Sequence, residues 1–204
     1  QTLTVYLIDD DEVVLHSQVE LLTAAGCQVA SFLSAEAFLA AITPETAGCV
    51  VTDLKMSGMS GLDLQRKLVA NHSLLPLIVV SGHANVSTTV ELMENGAMTL
   101  LQKPYDAHEL LNAVERAFDQ FVENCNRATQ LQSIQRRLES LSPAEMSVLQ
   151  LMVAGRPNKL ISTELEISMR TVDRRRSTVL EKMQVDSAPE LARLVTLVET
   201  ATAS

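Results

Sequence analysis

Three aspartates, a serine and a lysine stand at positions where acidic, hydroxyl and basic side chains could act together. Asp9 and Asp10 follow the apolar segment LTVYLI, and Asp53 ends another apolar run and enters the loop DLKMSGMSG. Ser81 closes the run PLIVV, and Lys103 is followed directly by proline. If each apolar run is a strand of one parallel sheet, all five side chains meet at its carboxyl edge. This set predicts a magnesium-dependent site that accepts a phosphoryl group.

The predicted chemistry needs a cation and an acceptor carboxylate. Mg²⁺ prefers oxygen ligands and keeps some of its waters. We therefore expect Asp10 and Asp53 to bind it directly, with Asp9 acting through water, and the backbone carbonyl of Lys55 to complete the protein ligands. Asp53 is the expected nucleophile, which becomes an acyl phosphate. The lysine would supply positive charge to the phosphoryl oxygens, and the serine a hydroxyl donor.

The elements that must position these residues alternate along residues 1–120. We predict strands at 3–9, 28–32, 48–53, 76–81 and 98–102, and helices at 12–25, 35–42, 61–71, 84–95 and from 106 onwards. Five βα units of this length indicate an α/β fold with a five-stranded doubly wound parallel sheet. The last helix has no evident end, because no Gly or Pro occurs between 110 and 141. It is either a helix that joins two domains and pairs with a partner helix, or a helix of the first domain followed by a polar linker.

The remainder of the chain is predicted to be a small all-α domain. Helices near 158–165 and 169–183, joined by a short turn, have the proportions of a helix-turn-helix, and the second helix is rich in arginine. Its apolar positions leave one side free to meet base edges and phosphates. The candidate DNA-binding residues are Lys159, Arg170, Thr171, Asp173, Arg174, Arg175 and Ser177.

Charge and hydropathy narrow the function further. The 204-residue chain has a formal net charge of −9, unevenly distributed. Residues 1–122 hold five Lys or Arg against fifteen Asp or Glu, whereas residues 140–204 hold eight of each. The acidic part is therefore unsuited to bind nucleic acid by itself. No apolar stretch has membrane-spanning length and no signal-peptide pattern is present, so we expect a cytoplasmic protein without a membrane partner.

Residues 3 to about 120 resemble the receiver domain of two-component response regulators, which has a flavodoxin-like fold. The resemblance rests on YLIDDDE, VVTDLKMSGMSGLDL, LPLIVVSGHANV and GAMTLLQKPYDAHEL. It implies Asp53 as the phosphorylation site, Asp9 and Asp10 as the acid pair, and Ser81 with Lys103 as the switch residues. It also implies a cis peptide bond after the lysine and a sensor histidine kinase as the phosphate donor.

Two positions depart from the receiver pattern. The loop after the acceptor reads Met56-Ser57-Gly58, where the family usually has Met-Pro-Gly, and we expect the serine to loosen it. Leu100 stands where the family often carries a Tyr or Phe that rotates on activation. A different neighbour of the switch serine would then have to carry the signal.

Residues from about 140 to 200 look like the LuxR-type helix-turn-helix of the NarL/FixJ subfamily, through LSPAEMSVLQLMVAGRPNKLISTELEISMRTVDRRRSTVLEKM. The resemblance implies a four-helix DNA-binding module with 169–183 as recognition helix. Many members carry His at the position of Arg175, and basic residues at those of Asp173 and Ser177. The neutral charge of this part predicts weak binding by a monomer, which two copies on adjacent half-sites would strengthen.

We therefore predict a response regulator that acts as a transcription factor and is not a metabolic enzyme. Its parts would be a receiver (1–120), a helical linker (121–140) and a DNA-binding domain (141–204). Phosphorylation would cause dimerisation through the face of helix 84–95 and strand 98–102, or release of the helix-turn-helix from that face. Two alternatives are a haloacid-dehalogenase-like phosphatase, with Asp9 as nucleophile and Asp11 as acid/base, and a receiver with a protein-binding output domain.

Overall fold

The computed structural model describes residues 2–82 and 86–202, without the side chains of 86–88 and 202. The chain divides into two compact units, Gln1–Cys125 and Asn126–Ser204. Each has its own apolar core. In the described ranges, no helix is both long and apolar enough to cross a bilayer.

The first unit alternates strands and helices, as predicted. Its elements are β1 (Thr4–Ile8), α1 (Glu12–Ala24), β2 (Gln28–Phe32), α2 (Ala35–Ala41), β3 (Gly48–Asp53), α3 (Gly61–Ala70), β4 (Leu77–Ser81), α4 (Val86–Glu94), β5 (Thr99–Gln102) and the start of α5 (Ala107–Glu139). The strands form one parallel sheet in the order β2-β1-β3-β4-β5. The first two residues predicted for α4, 84 and 85, lie outside the described ranges.

The sheet is buried on both faces, which explains the uninterrupted apolar runs of its central strands. On one face, alternate residues of β1 and β3 such as Val5 and Val51 pack with Leu15 of α1 and Leu110 of α5. On the other face, α2, α3 and α4 cover a second cluster that contains Phe38. The carboxyl ends of the strands are therefore left as the accessible edge for a site.

Helix α5 continues beyond the first unit without a break, from Ala107 to Glu139. It begins with a reciprocal pair of hydrogen bonds between Asp106 and Glu109, as the sequence predicted. Residues 121–140, which we predicted to be a linker, lie in this helix down to Glu139. The division after Cys125 falls inside it, so the structure contains no polar coil between 121 and 139.

The second unit contains the end of α5 and four further described helices. These are α6 (Pro143–Val153), α7 (Asn158–Glu164), α8 (Met169–Met183) and α9 (Ala188–Thr202). Helix α6 begins with the predicted capping box of Ser142 and Glu145, with proline at its first position. Ile134 of α5 is 2% exposed and belongs to the core that these helices share.

Candidate functional site

A lysine and two aspartates from three strand ends meet at the carboxyl edge of the sheet. Asp9 follows β1, Asp53 ends β3, and Lys103 follows β5. The Nζ atom of Lys103 lies 2.6 Å from Oδ1 of Asp53 and 3.2 Å from Oδ2 of Asp9. The structure thus brings together three of the residues that the sequence selected, although 94 positions separate Asp9 and Lys103.

The environment of this cluster shifts the acidity of two members. Asp9 is 3% exposed, and burial raises its pKa against the opposing effects of the Asp11 backbone N–H and of Lys103. Burial acts to lower the pKa of Lys103, but its hydrogen bonds and charge interactions with Asp53 and Asp9 raise it above the usual lysine value. The ammonium group therefore stays charged at neutral pH and offsets two carboxylates.

The backbone around Asp53 presents its carboxylate to the lysine. The N–H of Lys55 donates a 2.6 Å hydrogen bond to Oδ2 of Asp53, while Oδ1 faces Lys103. Gly61, the first residue of α3, comes so close that a Cβ there would lie 2.6 Å from the Asp53 carbonyl oxygen. The loop between β3 and α3 is therefore packed against the strand end.

Ser81 and the lysine lie on neighbouring strand ends. Ser81 is 2% exposed, and its carbonyl oxygen accepts a 2.8 Å hydrogen bond from the backbone N–H of Lys103. The peptide bond from Lys103 to Pro104 is cis, as expected. The next residue, Tyr105, accepts a 2.6 Å hydrogen bond from the buried amide of Gln18 in α1, a long-range contact for which the sequence carried no signal.

Asp10 faces the loop after β3 instead of the lysine. One of its carboxylate oxygens, Oδ2, accepts hydrogen bonds from the backbone N–H of Ser57 (2.7 Å) and from its hydroxyl (2.8 Å). These bonds hold the pKa of Asp10 below the usual range. The serine makes two hydrogen bonds that proline could not make, and these act against the expected loosening of the loop.

The carboxylates have the chemistry that Mg²⁺ requires, but each of them already has a hydrogen-bond partner. Asp9, Asp10 and Asp53 offer hard oxygen donors at one edge of the sheet, which fits this ion. Among the described residues, however, no group of three or more His, Cys, Asp or Glu side chains is placed to hold a metal ion. Two of the three carboxylates bond to Lys103, and Asp10 bonds to Ser57. Mg²⁺ would therefore compete with these hydrogen bonds for the carboxylate oxygens.

Asp11 has a structural role. Its carboxylate accepts hydrogen bonds from the backbone N–H groups of Val13 and Val14 and so caps the start of α1. The phosphatase alternative requires Asp11 as an acid/base beside Asp9. A capping carboxylate that serves two N–H groups is poorly suited to transfer protons, which weakens that alternative.

The helix-turn-helix places the predicted DNA-binding residues on α7 and α8. Lys159, Arg170, Asp173, Arg174 and Ser177 are exposed, and Thr171 and Arg175 are half-buried. Side chains of this set also form hydrogen bonds within the unit, and the hydroxyl of Ser177 donates to the carbonyl oxygen of Asp173 at 3.1 Å. Asp173 accepts a 2.8 Å hydrogen bond from Asn158 of α7, and the hydroxyl of Thr171 lies 2.8 Å from that of Ser168, the cap of α8. The sequence did not single out Asn158, although its amide links the two helices.

The C-terminal half of α8 is tied to the rest of its unit. Lys182 lies 2.7 Å from Glu145 and donates to the carbonyl oxygen of Ser140. Arg137, near the end of α5, donates to the carbonyl oxygen of Met183. The exposed candidate residues Arg170, Asp173 and Arg174 lie in the other, N-terminal half of α8.

Comparisons with known families match both units. A family model described as "Response regulator receiver domain" matches residues 5–115. A second one, described as "Bacterial regulatory proteins, luxR family", matches residues 139–195. Together they cover both the strand-end cluster and the helix-turn-helix.

Similar proteins extend over nearly the whole chain. It is 40% identical over 191 residues to the transcriptional regulatory protein FixJ of Rhizobium meliloti, covering 94% of each protein. It is 34% identical over 190 residues to the response regulator protein TodT of Pseudomonas putida, covering 93% of this chain and 84% of that protein.

Solved structures agree. The response regulator StyR superposes with a TM-score of 0.77 at 35% identity, covering 96% of this chain and 99% of that one. Full-length FixJ from B. japonicum superposes with a TM-score of 0.60 at 37% identity, covering 98% and 99%. These matches favour a receiver over a phosphatase. The chain therefore belongs to the NarL/FixJ subfamily of two-component response regulators and is a transcriptional regulator that joins a receiver domain to a LuxR-type helix-turn-helix.

Proposed function

We propose that Asp53 accepts a phosphoryl group from a sensor histidine kinase in the cytoplasm and that this modification controls DNA binding by residues 141–204. In this proposal residues 1–120 are the receiver and residues 121–140 a helical linker. The observation that supports it most directly is the contact of Lys103 with both Asp53 and Asp9. A fixed cation beside a carboxylate favours the transfer of an anionic group to that carboxylate.

The residues of the site divide the chemistry among them. A carboxylate oxygen of Asp53 forms a bond to phosphorus while the phosphorus–nitrogen bond of a phosphohistidine breaks, which yields an acyl phosphate. Lys103 then exchanges a carboxylate partner for the phosphoryl oxygens, and the backbone N–H of Lys55 helps to orient the acceptor. Bound Mg²⁺, held by Asp10, Asp53 and the Lys55 carbonyl with Asp9 through water, would offset the charge of the incoming phosphoryl group.

The new charge provides the means of switching. The acyl phosphate carries roughly −1.5 to −2 charge, judged from other phosphorylated residues, in place of the single negative charge of the Asp53 carboxylate. Ser81 lies at the neighbouring strand end and would donate its hydroxyl to the phosphate. Leu100 is half-buried and packs against the core cluster that contains Leu92 of α4, and it has no aromatic ring to rotate. On α4, Val90 and Met93 are 48% and 47% exposed, which suits them to pair in a phosphorylation-dependent homodimer.

A dimer would also compensate for the neutral charge of the DNA-binding unit. Lys159, Arg170, Arg174 and Arg175 would contact phosphates or guanine edges of double-stranded DNA from α7 and α8. Two linked copies raise the effective concentration of the second helix at its half-site. The acidic receiver contributes no attraction to DNA, so affinity depends on the two helix-turn-helix units binding together.

The test is phosphorylation and assembly of the full chain. Wild type, Asp53→Ala and Asp119→Ala are incubated with acetyl phosphate and Mg²⁺, then measured by intact mass and by sedimentation. Asp119 is an exposed aspartate of α5 and serves as the matched control. We expect one added phosphoryl group and a shift to dimer in wild type and Asp119→Ala, and neither change in Asp53→Ala.

DNA binding is then tested by selection from a random double-stranded pool with the phosphorylated protein. Enrichment of a sequence with paired half-sites supports the proposal. Modification of Asp53→Ala to the same extent as wild type would overturn the assignment of the acceptor. Modification of wild type without any enrichment would leave a receiver with a protein-binding output domain.

A further inference from the structure

Alternate residues of the loop between β3 and α3 donate backbone hydrogen bonds to carboxylates from different elements. The N–H of Lys55 donates to Asp53, that of Ser57 to Asp10, and that of Met59 to Glu36 at 3.0 Å. Among these three loop residues, Ser57 also uses its side chain, and its hydroxyl donates to the same oxygen of Asp10 at 2.8 Å. Asp10 is therefore bonded to the loop more strongly than a backbone contact alone would achieve.

The ion that the site is proposed to bind needs the same carboxylate. Asp9 is buried and already contacts Lys103, so Asp10 is the most accessible acid of the pair. A carboxylate oxygen that accepts two hydrogen bonds presents less of its negative charge to a cation than one that faces only water. Ser57 and the ion therefore compete for Asp10.

The competition depends on the residue type at position 57. Proline has no backbone N–H and no hydroxyl, so it could make neither bond to Asp10. Alanine would keep the backbone bond and lose the hydroxyl bond, whereas threonine would keep both. Substitutions at position 57 therefore change the number of hydrogen bonds to Asp10 stepwise, and they leave every proposed metal ligand in place.

We propose that Ser57 is a positioning residue whose two hydrogen bonds occupy Oδ2 of Asp10 and so lower the affinity of the unphosphorylated receiver for Mg²⁺. The inference rests on the proposed function of the site and adds a regulatory element to it. Because Ser57 and Asp10 are both exposed, water replaces the broken bonds and the release of Asp10 remains accessible. The receiver would therefore require a higher Mg²⁺ concentration before Asp53 becomes a competent acceptor.

The test is isothermal titration of the unphosphorylated full chain with MgCl₂. We expect Ser57→Ala to lower the Kd about three- to tenfold, the equivalent of one hydrogen bond, and Ser57→Thr to bind like wild type. Glu36→Gln weakens another hydrogen bond of the same loop without touching Asp10 and should also bind like wild type. Circular dichroism of each variant shows that it is folded.

The outcomes separate this inference from the function on which it rests. Asp10→Asn should weaken Mg²⁺ binding strongly, and if it does not, the proposed metal site is wrong. If Asp10→Asn does weaken binding while Ser57→Ala binds Mg²⁺ as wild type does or less tightly, the site stands and the role of Ser57 is overturned. A gain in Glu36→Gln equal to that in Ser57→Ala would attribute the effect to a looser loop, and would equally overturn it.

Discussion

The ammonium group of Lys103 lies 2.6 Å from a carboxylate oxygen of Asp53, the proposed phosphoryl acceptor. The same ammonium lies 3.2 Å from Asp9, which is nearly inaccessible to solvent. One positive charge thus serves two carboxylates at the end of the sheet. A cation that is already positioned when the phosphoryl group arrives needs no reorganisation at the moment of transfer.

Replacement of Lys103 by alanine should slow phosphorylation of Asp53 by about 100-fold or more, because a preorganised charge of this kind typically contributes that much to a rate. Loss of the ammonium also leaves Asp9 facing Asp53, whose charge acts to raise the pKa of Asp9. The rate is measured by intact mass during incubation with acetyl phosphate. Lys67→Ala, which removes an exposed lysine of α3, is the control, and a similar loss there would contradict the assignment.

Gly61→Ala should destabilise the receiver and displace the acceptor strand. A Cβ at Gly61 would lie 2.6 Å from the carbonyl oxygen of Asp53, a distance that forces the backbone to move. We expect a loss of about 1–3 kcal/mol in the free energy of unfolding, typical of overpacking, together with slower phosphorylation. Gly82→Ala is the matched control, because no atom of the described residues, apart from its chain neighbours, lies within 4 Å of a Cβ at that position. The free energy of unfolding of both variants is measured by urea denaturation. Equal stability of the two variants would refute the steric argument.

Glu145 should make the stability of the DNA-binding unit depend on pH at the acidic end. The hydrogen bonds from Lys182 and from the backbone of Ser142 hold its pKa at about 2, below the ordinary 4.5. A carboxyl whose pKa is depressed by folding stabilises the folded state above its unfolded pKa, and this contribution is lost as the pH falls toward the folded value. Glu145→Gln should therefore melt below wild type at pH 7.

The difference in melting temperature between wild type and Glu145→Gln should shrink as the pH falls from about 4.5 toward 2. Thermal denaturation followed by circular dichroism across this range measures it. Glu181→Gln, at an exposed glutamate of α8, should differ little from wild type at any of these pH values. A difference for Glu145→Gln that stays constant with pH would show that the lost contact is not ionic.

The order of strands and helices was predictable because the two kinds of apolar pattern differ clearly in this chain. Buried strands appear as continuous apolar runs, whereas helices show apolar residues three or four positions apart. The apolar runs that became β3 and β4 are buried on both faces, as parallel strands require. The starts of two helices were also predictable from capping pairs. Reciprocal hydrogen bonds join Ser142 to Glu145 and Asp106 to Glu109. The end of the long helix at Glu139 was not predictable, because no Gly or Pro marks it. Ile134, in its last part, packs in the core of the second unit.

The sequence predicted which residues form the site, but only part of how they are arranged. In a parallel sheet, residues that follow the strands lie at its carboxyl edge. The strand pattern therefore predicted that Asp9, Asp53 and Lys103 lie close together. The hydrogen-bond partner of Asp10 was not predictable, because it depends on the path of an irregular loop. The hydrogen bond of Asp173 to Asn158 was missed for a similar reason, since the turn between α7 and α8 decides which side chains meet.

Arg174 is exposed on the N-terminal half of α8, on the side away from the buried Val172 and Val179. We expect Arg174→Ala to weaken binding of the phosphorylated protein to its selected DNA. If the guanidinium contacts a phosphate, the slope of log K against log salt should fall by about 1, with equal losses on all sequences. If it contacts a guanine, the loss should be about 1–3 kcal/mol and confined to one base position.

Fluorescence anisotropy at several salt concentrations, on the selected site and on single-base variants, distinguishes the two contacts. Arg193→Ala removes an exposed arginine of α9, outside the helix-turn-helix pair, and is the matched control. It keeps the same net charge as Arg174→Ala, so any general effect of charge on DNA attraction is common to both. If the two variants lose the same affinity with the same salt dependence, α8 does not read DNA as proposed, because only a local contact can make Arg174 differ from Arg193.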